Sequence, residues 1–361
     1  VKILAIHPGH TFSTSDVYDG LCAGMRACGA QVVPFQWSKM LQIVGTLVAG
    51  AAAGGVVKPE QMDHAQQFAF FLAAADAVSV AVDEEVDAVF VVNGLLFPPE
   101  RATLLQKLRI PVACYGTESP YFDDTELQIA TAYTHWYTQE RTSVERFRAV
   151  VDGGRAFYLP MAFNPELHAP GPRQRDKAAD VVFVGGGYPE RQRLLDGVDW
   201  TGIRHVRQGT LWHLDLEAEH GARGMGRAVR YAEGSIPNSE TTHWHRSAAI
   251  SLNLHRRMTY VEHLERQVAP GAAESLGPRA YEIPAVGGFM LSDDERPELR
   301  DVYGESAATF RAWDSADLER QIRYWLAHPD ERERRAAAQR AAVLPHTWTA
   351  RARVVLETLF A

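Results

Sequence analysis

The sequence predicts an α/β protein built from two doubly wound parallel sheets in tandem. Three observations predict it. Short β-branched apolar runs alternate with stretches of helical periodicity, the pattern of parallel strands joined by crossover helices. The 361 residues are a little over twice the ~150 of an ordinary domain. A polar, Pro- and Arg-rich break at 168–177 is followed by a restart of the same alternation. Composition agrees: 46% hydrophobic and 23% charged residues exclude a disordered tail, a collagen-like fibre or a coiled coil.

Lys2–Ile6 is the first expected strand. Residues 16–28 follow as an amphipathic helix, with Val17, Leu21, Met25 and Cys28 at helical spacing. Gln31–Phe35 is the next strand, and 68–82 reads as a helix. Ala88–Val92 is a continuous apolar run, as a strand buried on both faces requires. A helix at 102–108 leads to strands at 111–115, His135–Thr138 and 156–159. After the break, strands are expected at 180–184, 203–207, 249–254 and 288–291. Helices are expected at 190–195, 318–327, 331–342 and 349–360. In such sheets ligands sit outside the carboxyl ends of the strands, so two of them in tandem make a cleft between the domains the expected binding site.

Charge and cysteines narrow the class. Lys and Arg number 37 and Asp and Glu 45, so the net charge is 37 − 45 = −8, which gives no global pull toward nucleic acid. Arg141, Arg146, Arg148 and Arg155 remain as a local basic patch. Cys22, Cys28 and Cys114 are odd in number and form no C-x-x-C, so a reducing cytoplasm is expected. The first apolar run is too short for a signal peptide. Residues 40–57 carry no charge between Lys39 and Lys58, long enough for a membrane span. Their glycines and alanines give only modest insertion hydrophobicity, so a buried or mobile Ala/Gly-rich helix is expected and stable membrane insertion is not.

Three segments carry chemistry. The first strand runs into His7-Pro8-Gly9-His10-Thr11-Phe12-Ser13, where Gly9, His10 and Ser13 offer an acceptor or phosphate loop ahead of a helix. Turn chemistry explains that loop equally well, and Asp16 serves as a helix cap. Residues 182–191 read strand, Gly185-Gly186-Gly187, Tyr188-Pro189, Glu190 and Arg191. The glycines allow close backbone approach, and the helix start with Arg191 suits phosphate oxygens. This is not the G-x-G-x-x-G dinucleotide fingerprint, which disfavours a nicotinamide oxidoreductase. Residues 274–289 place Glu274 and Glu282 eight positions apart around Ser275-Leu276-Gly277-Pro278-Arg279. Carboxylates accept hydrogen bonds from vicinal hydroxyls and so suit ribose or hexose. The histidines include His243-Trp244-His245, His255 and His263, but no carboxylate or cysteine completes a zinc spacing, and no metal is expected.

These motifs, with Ser251-Leu252-Asn253-Leu254, Tyr281-Glu282-Ile283-Pro284-Ala285, Tyr324-Trp325-Leu326-Ala327-His328-Pro329-Asp330-Glu331 and Leu344-Pro345-His346-Thr347-Trp348, resemble the CgeB-like (spore maturation protein) glycosyltransferases. Thr117-Glu118-Ser119-Pro120-Tyr121 and Tyr158-Leu159-Pro160-Met161-Ala162-Phe163-Asn164-Pro165 extend the resemblance over nearly the whole chain. Where the family commonly has Asn beside the first glycine and Ser-Leu-Asn before its Arg-x-Phe-Glu, this chain has Gly186 and Ser275-Leu276-Gly277.

The resemblance implies a GT-B architecture: two Rossmann-like domains facing a cleft that holds a nucleotide-diphosphate sugar. It implies an acceptor-side domain at 1–167, a linker at 168–178, a donor domain at 179–345, and a helix at 346–361 returning to the first domain. It implies that Glu282 holds the donor ribose and Glu274 faces the donor sugar. Leu276 and Gly277, with Arg279 beside them, would face the diphosphate. Gly185, Gly186, Gly187 and Arg191 would neutralise it as it leaves. A metal-independent hexosyl- or pentosyltransferase without a cofactor follows, since helix dipoles, amides and Arg can stabilise that leaving group. Glu118 and Asp16 are the candidate bases for the acceptor hydroxyl, and Glu118 also suits capping the turn at Ser119-Pro120. The acceptor is a surface glycan, a small molecule or a modified DNA base. A nucleotide-sugar epimerase of the same fold, or a non-catalytic sugar-nucleotide-binding protein, are the alternatives.

Overall fold

The computed structural model describes residues 1–9, 14–212, 230–232, 236–261, 264–267 and 273–361. The chain divides into two units: Val1–Pro160 with Trp348–Ala361, and Met161–Thr347.

Unit 1 runs β1 (Lys2–Ile6), α1 (Thr14–Ala27), β2 (Gln31–Phe35), α2 (Ser38–Ala53), α3 (Met62–Ala73), α4 (Asp76–Asp83), β3 (Ala88–Val92), α5 (Pro99–Lys107), β4 (Val112–Gly116), α6 (Asp123–Ala130), β5 (His135–Thr138), α7 (Val144–Arg148) and β6 (Ala156–Tyr158). Its six strands are parallel, in the order β2-β1-β3-β4-β5-β6. All of β3 is buried, as its unbroken Ala-Val-Phe-Val-Val demands of a strand covered on both faces. Leu4, Val89, Val112, Cys114, Trp136 and Phe147 share one core.

Two expectations in this unit need correction. The helix expected over 68–82 is two helices, α3 and α4. The charge-free stretch from residue 40 is α2, and only Val44 on it is buried. Leu41 and Val48 lean on the core, whereas Ile43 and Leu47 face outward, Leu47 at 66% exposure. Among the described residues one helical run, Pro59–Asp83, is long and apolar enough to cross a membrane.

Unit 2 runs β7 (Ala179–Val184), α8 (Pro189–Asp196), β8 (His205–Gln208), β9 (Arg230–Ala232), α9 (Asn238–Ser247), β10 (Ala248–Asn253), β11 (Met258–Val261), β12 (Leu264–Gln267), α10 (Pro278–Ala285), β13 (Met290–Asp293), α11 (Glu298–Tyr303), β14 (Thr309–Phe310), α12 (Ser315–Ala327) and α13 (Pro329–Val343). Six parallel strands lie in the order β14-β13-β10-β7-β8-β9, beside an antiparallel β11–β12 hairpin. Val181, Phe183, Ile250, Leu252, Leu291 and Trp325 pack into its core.

The last helix, α14 (Trp348–Leu359), belongs to unit 1. It lies on α1 where two glycines leave room: a Cβ at Gly20 would stand 2.2 Å from the Trp348 ring, and one at Gly24 2.6 Å from the Trp348 carbonyl oxygen. The Tyr137 and Thr358 hydroxyls meet at 2.7 Å, and Arg351 Nε donates to the Pro160 carbonyl at 2.9 Å.

The expected boundary shifts, because residues 168–178 are not a free linker. Arg246 on α9 donates to the Ala169 carbonyl at 2.5 Å through Nη2 and at 3.0 Å through Nε. The Gln174 amide donates to Ser247 Oγ at 2.9 Å, and Lys177 pairs with Glu240 at 2.7 Å. Side chains of α9 thus satisfy this backbone, and the division falls at Pro160/Met161 and Thr347/Trp348.

Candidate functional site

In unit 2, β7 and β10 are neighbours, and the chain leaves β7 toward β8 on one side and β10 toward β13 on the other. The crevice at their carboxyl ends is the place where a doubly wound sheet receives ligands. Four loops meet the question of what that edge can hold.

The glycine loop follows β7. Gly185 donates its amide to the Gln208 carbonyl at 2.8 Å and Gly187 donates to Thr210 at 2.8 Å. Trp212 Nε1 donates to the Gly185 carbonyl at 3.1 Å. A Cβ at Gly187 would lie 2.6 Å from the Trp212 ring, and one at Gly209, where φ is +136°, 2.3 Å from the Gly185 oxygen. The glycines therefore let one loop lie against the next. The expectation that the Gly185 and Gly187 amides cradle phosphate is corrected, since both already donate to carbonyls. Gly186 takes part through its carbonyl.

Arg191 is corrected in the same way. It is 9% exposed. Its Nη1 donates to the Gly186 carbonyl at 3.1 Å and its Nη2 to the Leu254 carbonyl at 2.6 Å. Its guanidinium lies 5.3 Å from the Phe183 ring centre and 5.0 Å from that of Tyr188. A planar fork stacked on aromatic rings and bonded to two carbonyls ties loops together. Beside it, Glu190 keeps both carboxylate oxygens buried with no hydrogen-bond partner.

The exits of β10 and β13 are bonded to each other. The His255 amide donates to Asp293 Oδ2 at 2.7 Å, and His255 Nδ1 meets Asp293 Oδ1 at 2.7 Å. Asn253 Nδ2 donates to Ser292 Oγ at 2.9 Å and stands 3.3 Å from His255 Nε2. Burial pushes the Asp293 carboxyl up, but His255 outweighs it and holds the group below its usual range. Sequence reading had no signal for this pairing beyond Asn253 itself.

The fourth segment surrounds α10. Glu282 is 5% exposed. Asn238 Nδ2 donates to its Oε1 at 3.2 Å, Arg279 Nη1 donates to its Oε2, and His168 Nε2 is 3.7 Å away. Burial pushes this carboxyl up, but Arg279, His168 and Asn238 together hold it at about 2. Arg279 Nη1 also donates to Asn238 Oδ1 at 2.9 Å, and its side chain stays 32% exposed. Gly277 caps α10, and among the described residues nothing beyond its chain neighbours lies within 4 Å of where its Cβ would be. The Leu276 amide donates to Glu298 Oε2 at 2.6 Å, which corrects its expected offer to a diphosphate. Glu274 is half-buried, its carbonyl accepting from the Glu298 amide at 3.2 Å.

The histidines do not assemble. His243 and His245 lie on helix α9, where two positions apart means nearly opposite faces. His243 Nδ1 meets Gln174 Nε2 at 3.0 Å, and His245 Nδ1 meets Ser251 Oγ at 3.0 Å. His263 lies outside the described residues. Among the described residues no group of three or more His, Cys, Asp or Glu is placed to hold a metal ion.

In unit 1, Gly9 has φ +86°, and a Cβ there would lie 2.6 Å from Leu41 Cδ1; His10 and Ser13 lie outside the described residues. Asp16 is half-buried in the first turn of α1, where the helix dipole favours a carboxylate. Glu118 is half-buried just past β4. Its carbonyl accepts from the Tyr121 amide at 2.9 Å, so its main chain anchors the turn. Its amide donates to Glu126 Oε1 at 3.2 Å, a buried partner that sequence reading did not find. The expected basic patch is largely neutralised: Arg146 pairs with Asp123 and Asp124 at 2.8 Å each, Arg148 with Glu145 at 2.5 Å, and Arg155 with Asp152 at 3.3 Å.

Comparison with known proteins agrees with this architecture. The spore protein CgeB of Bacillus subtilis (strain 168) is 20% identical over 271 residues, 72% of this chain and 78% of that protein. The solved sucrose-phosphate synthase of Thermosynechococcus elongatus is similar at a TM-score of 0.62 and 12% identity, over 99% of this chain and 97% of that one. The UDP-forming α,α-trehalose-phosphate synthase of Burkholderia vietnamiensis is similar at a TM-score of 0.65 and 12% identity, over 99% of each chain. A family model described as glycosyl transferase-like matches residues 174–357. The chain belongs to that glycosyl transferase-like family, and its two parallel-sheet units share the GT-B fold of the two solved synthases.

Proposed function

We propose that the protein moves a hexose from a nucleoside-diphosphate sugar to an acceptor hydroxyl, with the donor held at the start of α10. The observation that carries this reading is the Glu274 to Glu282 segment: two carboxylates flank the helix start at Gly277 and an Arg279 that is a third exposed. The similarity to a solved UDP-forming trehalose-phosphate synthase supports the same donor class. Glu274 would accept hydrogen bonds from the sugar hydroxyls. Glu282 would face the ribose through lone pairs that Asn238 and Arg279 leave open, while holding Arg279 in place. As the anomeric C–O bond breaks, negative charge builds on the diphosphate. The α10 dipole and Arg279 meet that charge without a metal or other cofactor. On the acceptor side, Glu118 would take the hydrogen bond, and then the proton, of the attacking hydroxyl. Asp16 is the second such carboxylate.

A glycan or small-molecule hydroxyl is favoured over a DNA base, because carboxylates pair three of the four patch arginines and the net charge is −8. We place the reaction in the cytoplasm on the strength of three free thiols. A panel of UDP, GDP, dTDP and CDP sugars tests the donor reading, since a ligand of the native state raises its melting temperature. One nucleotide series should raise it, and Arg279→Ala should abolish that rise. If no donor shifts the melting temperature and none releases nucleoside diphosphate, the reading is lost.

A further inference from the structure

We infer that Glu126 is a positioning residue for the acceptor side, fixing from beneath the loop that carries Glu118. The inference rests on the acceptor role proposed for Glu118. Glu126 is fully buried on α6. Its Oε1 accepts from the Glu118 amide at 3.2 Å, and its Oε2 accepts from Ser119 Oγ at 2.9 Å. The loop is held from its other side as well. Gln139 Nε2 donates to the Thr117 carbonyl at 2.8 Å and the Ser119 carbonyl at 3.0 Å, and Asn93 Nδ2 donates to Thr117 Oγ1 at 2.8 Å. Groups from the exits of β3 and β5 and from α6 thus converge on Thr117, Glu118 and Ser119 at the carboxyl edge of the sheet.

Room for Glu126 is built in. A Cβ on Gly116 would stand 3.0 Å from each Glu126 oxygen and 2.7 Å from the Trp136 ring. The hydrogen-bond partners of this deep carboxyl group are the Glu118 amide and the Ser119 hydroxyl, both uncharged. Burial, with Glu118 and Asp123 nearby, pushes it up to about 8, so near pH 7 it is mostly the neutral acid. A neutral acid keeps both contacts, Oε1 accepting from the Glu118 amide and the protonated Oε2 sharing a hydrogen bond with Ser119 Oγ, without setting a negative charge under Glu118. An amide would do the same: Gln accepts the Glu118 amide at its oxygen and donates to Ser119 Oγ. An alanine removes both contacts.

The test compares wild type, Glu126→Gln, Glu126→Ala and Glu118→Gln in the full chain. The readouts are nucleoside-diphosphate release with the donor found above, donor affinity, and hydrogen exchange of the Glu118 and Ser119 amides. Expected for Glu126→Ala is a kcat loss of about ten- to a hundredfold, the scale of an ångström-level misplacement. Donor affinity should stay unchanged and the Glu118 amide should lose protection. Glu126→Gln should restore both kcat and protection. Ser119→Ala, which removes one contact only, should lie between them if Glu126→Ala does not fold. Equal kcat losses in the Gln and Ala variants overturn the inference, as does unaltered exchange at Glu118 in a folded Glu126→Ala. If instead Glu118→Gln keeps full turnover while exchange behaves as expected, the acceptor role of Glu118 is what fails.

Discussion

His255 is bonded twice to Asp293, through its main-chain amide and through its ring, each at 2.7 Å. Two parallel strands that are 38 residues apart in sequence at this point are thereby locked at their carboxyl ends, and Arg191 on α8 reaches the neighbouring Leu254 carbonyl. Asp293→Asn keeps the shape but puts an NH2 group opposite one of the two donors. A hydrogen bond to a charged group contributes roughly 1.5–3 kcal/mol, so a loss of about that size is expected in urea unfolding. Donor-induced stabilisation should weaken with it, because both strand exits border the proposed donor site. A variant as stable as wild type would show the double bond to be idle.

Glu282 gives a pH signature. Its carboxyl lies at about 2 against an ordinary 4.5, a folded value below the unfolded one. The stability it contributes is therefore present above pH 4.5 and is lost as pH falls from there toward 2. Melting temperatures of wild type and Glu282→Gln followed across that window should converge on acidification. Removing the partner is the harsher change. Arg279→Met leaves a buried carboxylate short of its cation, and breaking such a pair costs roughly 3–5 kcal/mol, here toward the lower end because Arg279 is a third exposed.

The seat of α14 can be tested through space alone. Trp348 is buried against α1 where Gly20 and Gly24 lack side chains. Gly20→Ala would gain helix propensity, worth about 1 kcal/mol, but its methyl would collide with the indole, and overpacking costs about 1–3 kcal/mol. Trp348→Ala should cost about 3–5 kcal/mol. Combining the two should cost less than their sum, because the collision is gone once the ring is removed. Strict additivity in unfolding experiments would contradict this packing.

Most of the fold was legible because its strands are buried on both faces. Ala88–Val92 has no polar residue to break the run, and no reading other than an internal strand suits it. β14 escaped because two residues at a sheet edge carry no period. The site was legible in position and less so in purpose. A glycine marks close approach, and the sequence cannot say whether a phosphate or Trp212 approaches Gly187. Arg191 likewise reads the same whether its fork meets a phosphate or two carbonyls. Glu126 was hidden for a different reason: Asp123-Asp124-Thr125-Glu126 looks like an acidic first turn facing solvent, and only the fold turns its last member under the preceding loop.

Arg191 separates a structural tie from a ligand contact. A phosphate-binding arginine and a loop tie answer substitution differently. Arg191→Lys keeps the charge but loses the fork, so it cannot reach the Gly186 and Leu254 carbonyls together. If the guanidinium serves the loops, this variant unfolds at lower denaturant, by roughly 1–3 kcal/mol for two carbonyls left without their donor. Its donor affinity would fall only as far as the loops loosen, and the salt dependence of donor binding would be unchanged, since no charge that faces the ligand has gone. If it served the diphosphate, affinity would fall sharply in a chain of wild-type stability. The stacked, 9% exposed guanidinium leads us to expect the first outcome, measured by paired urea titrations and donor binding at two ionic strengths.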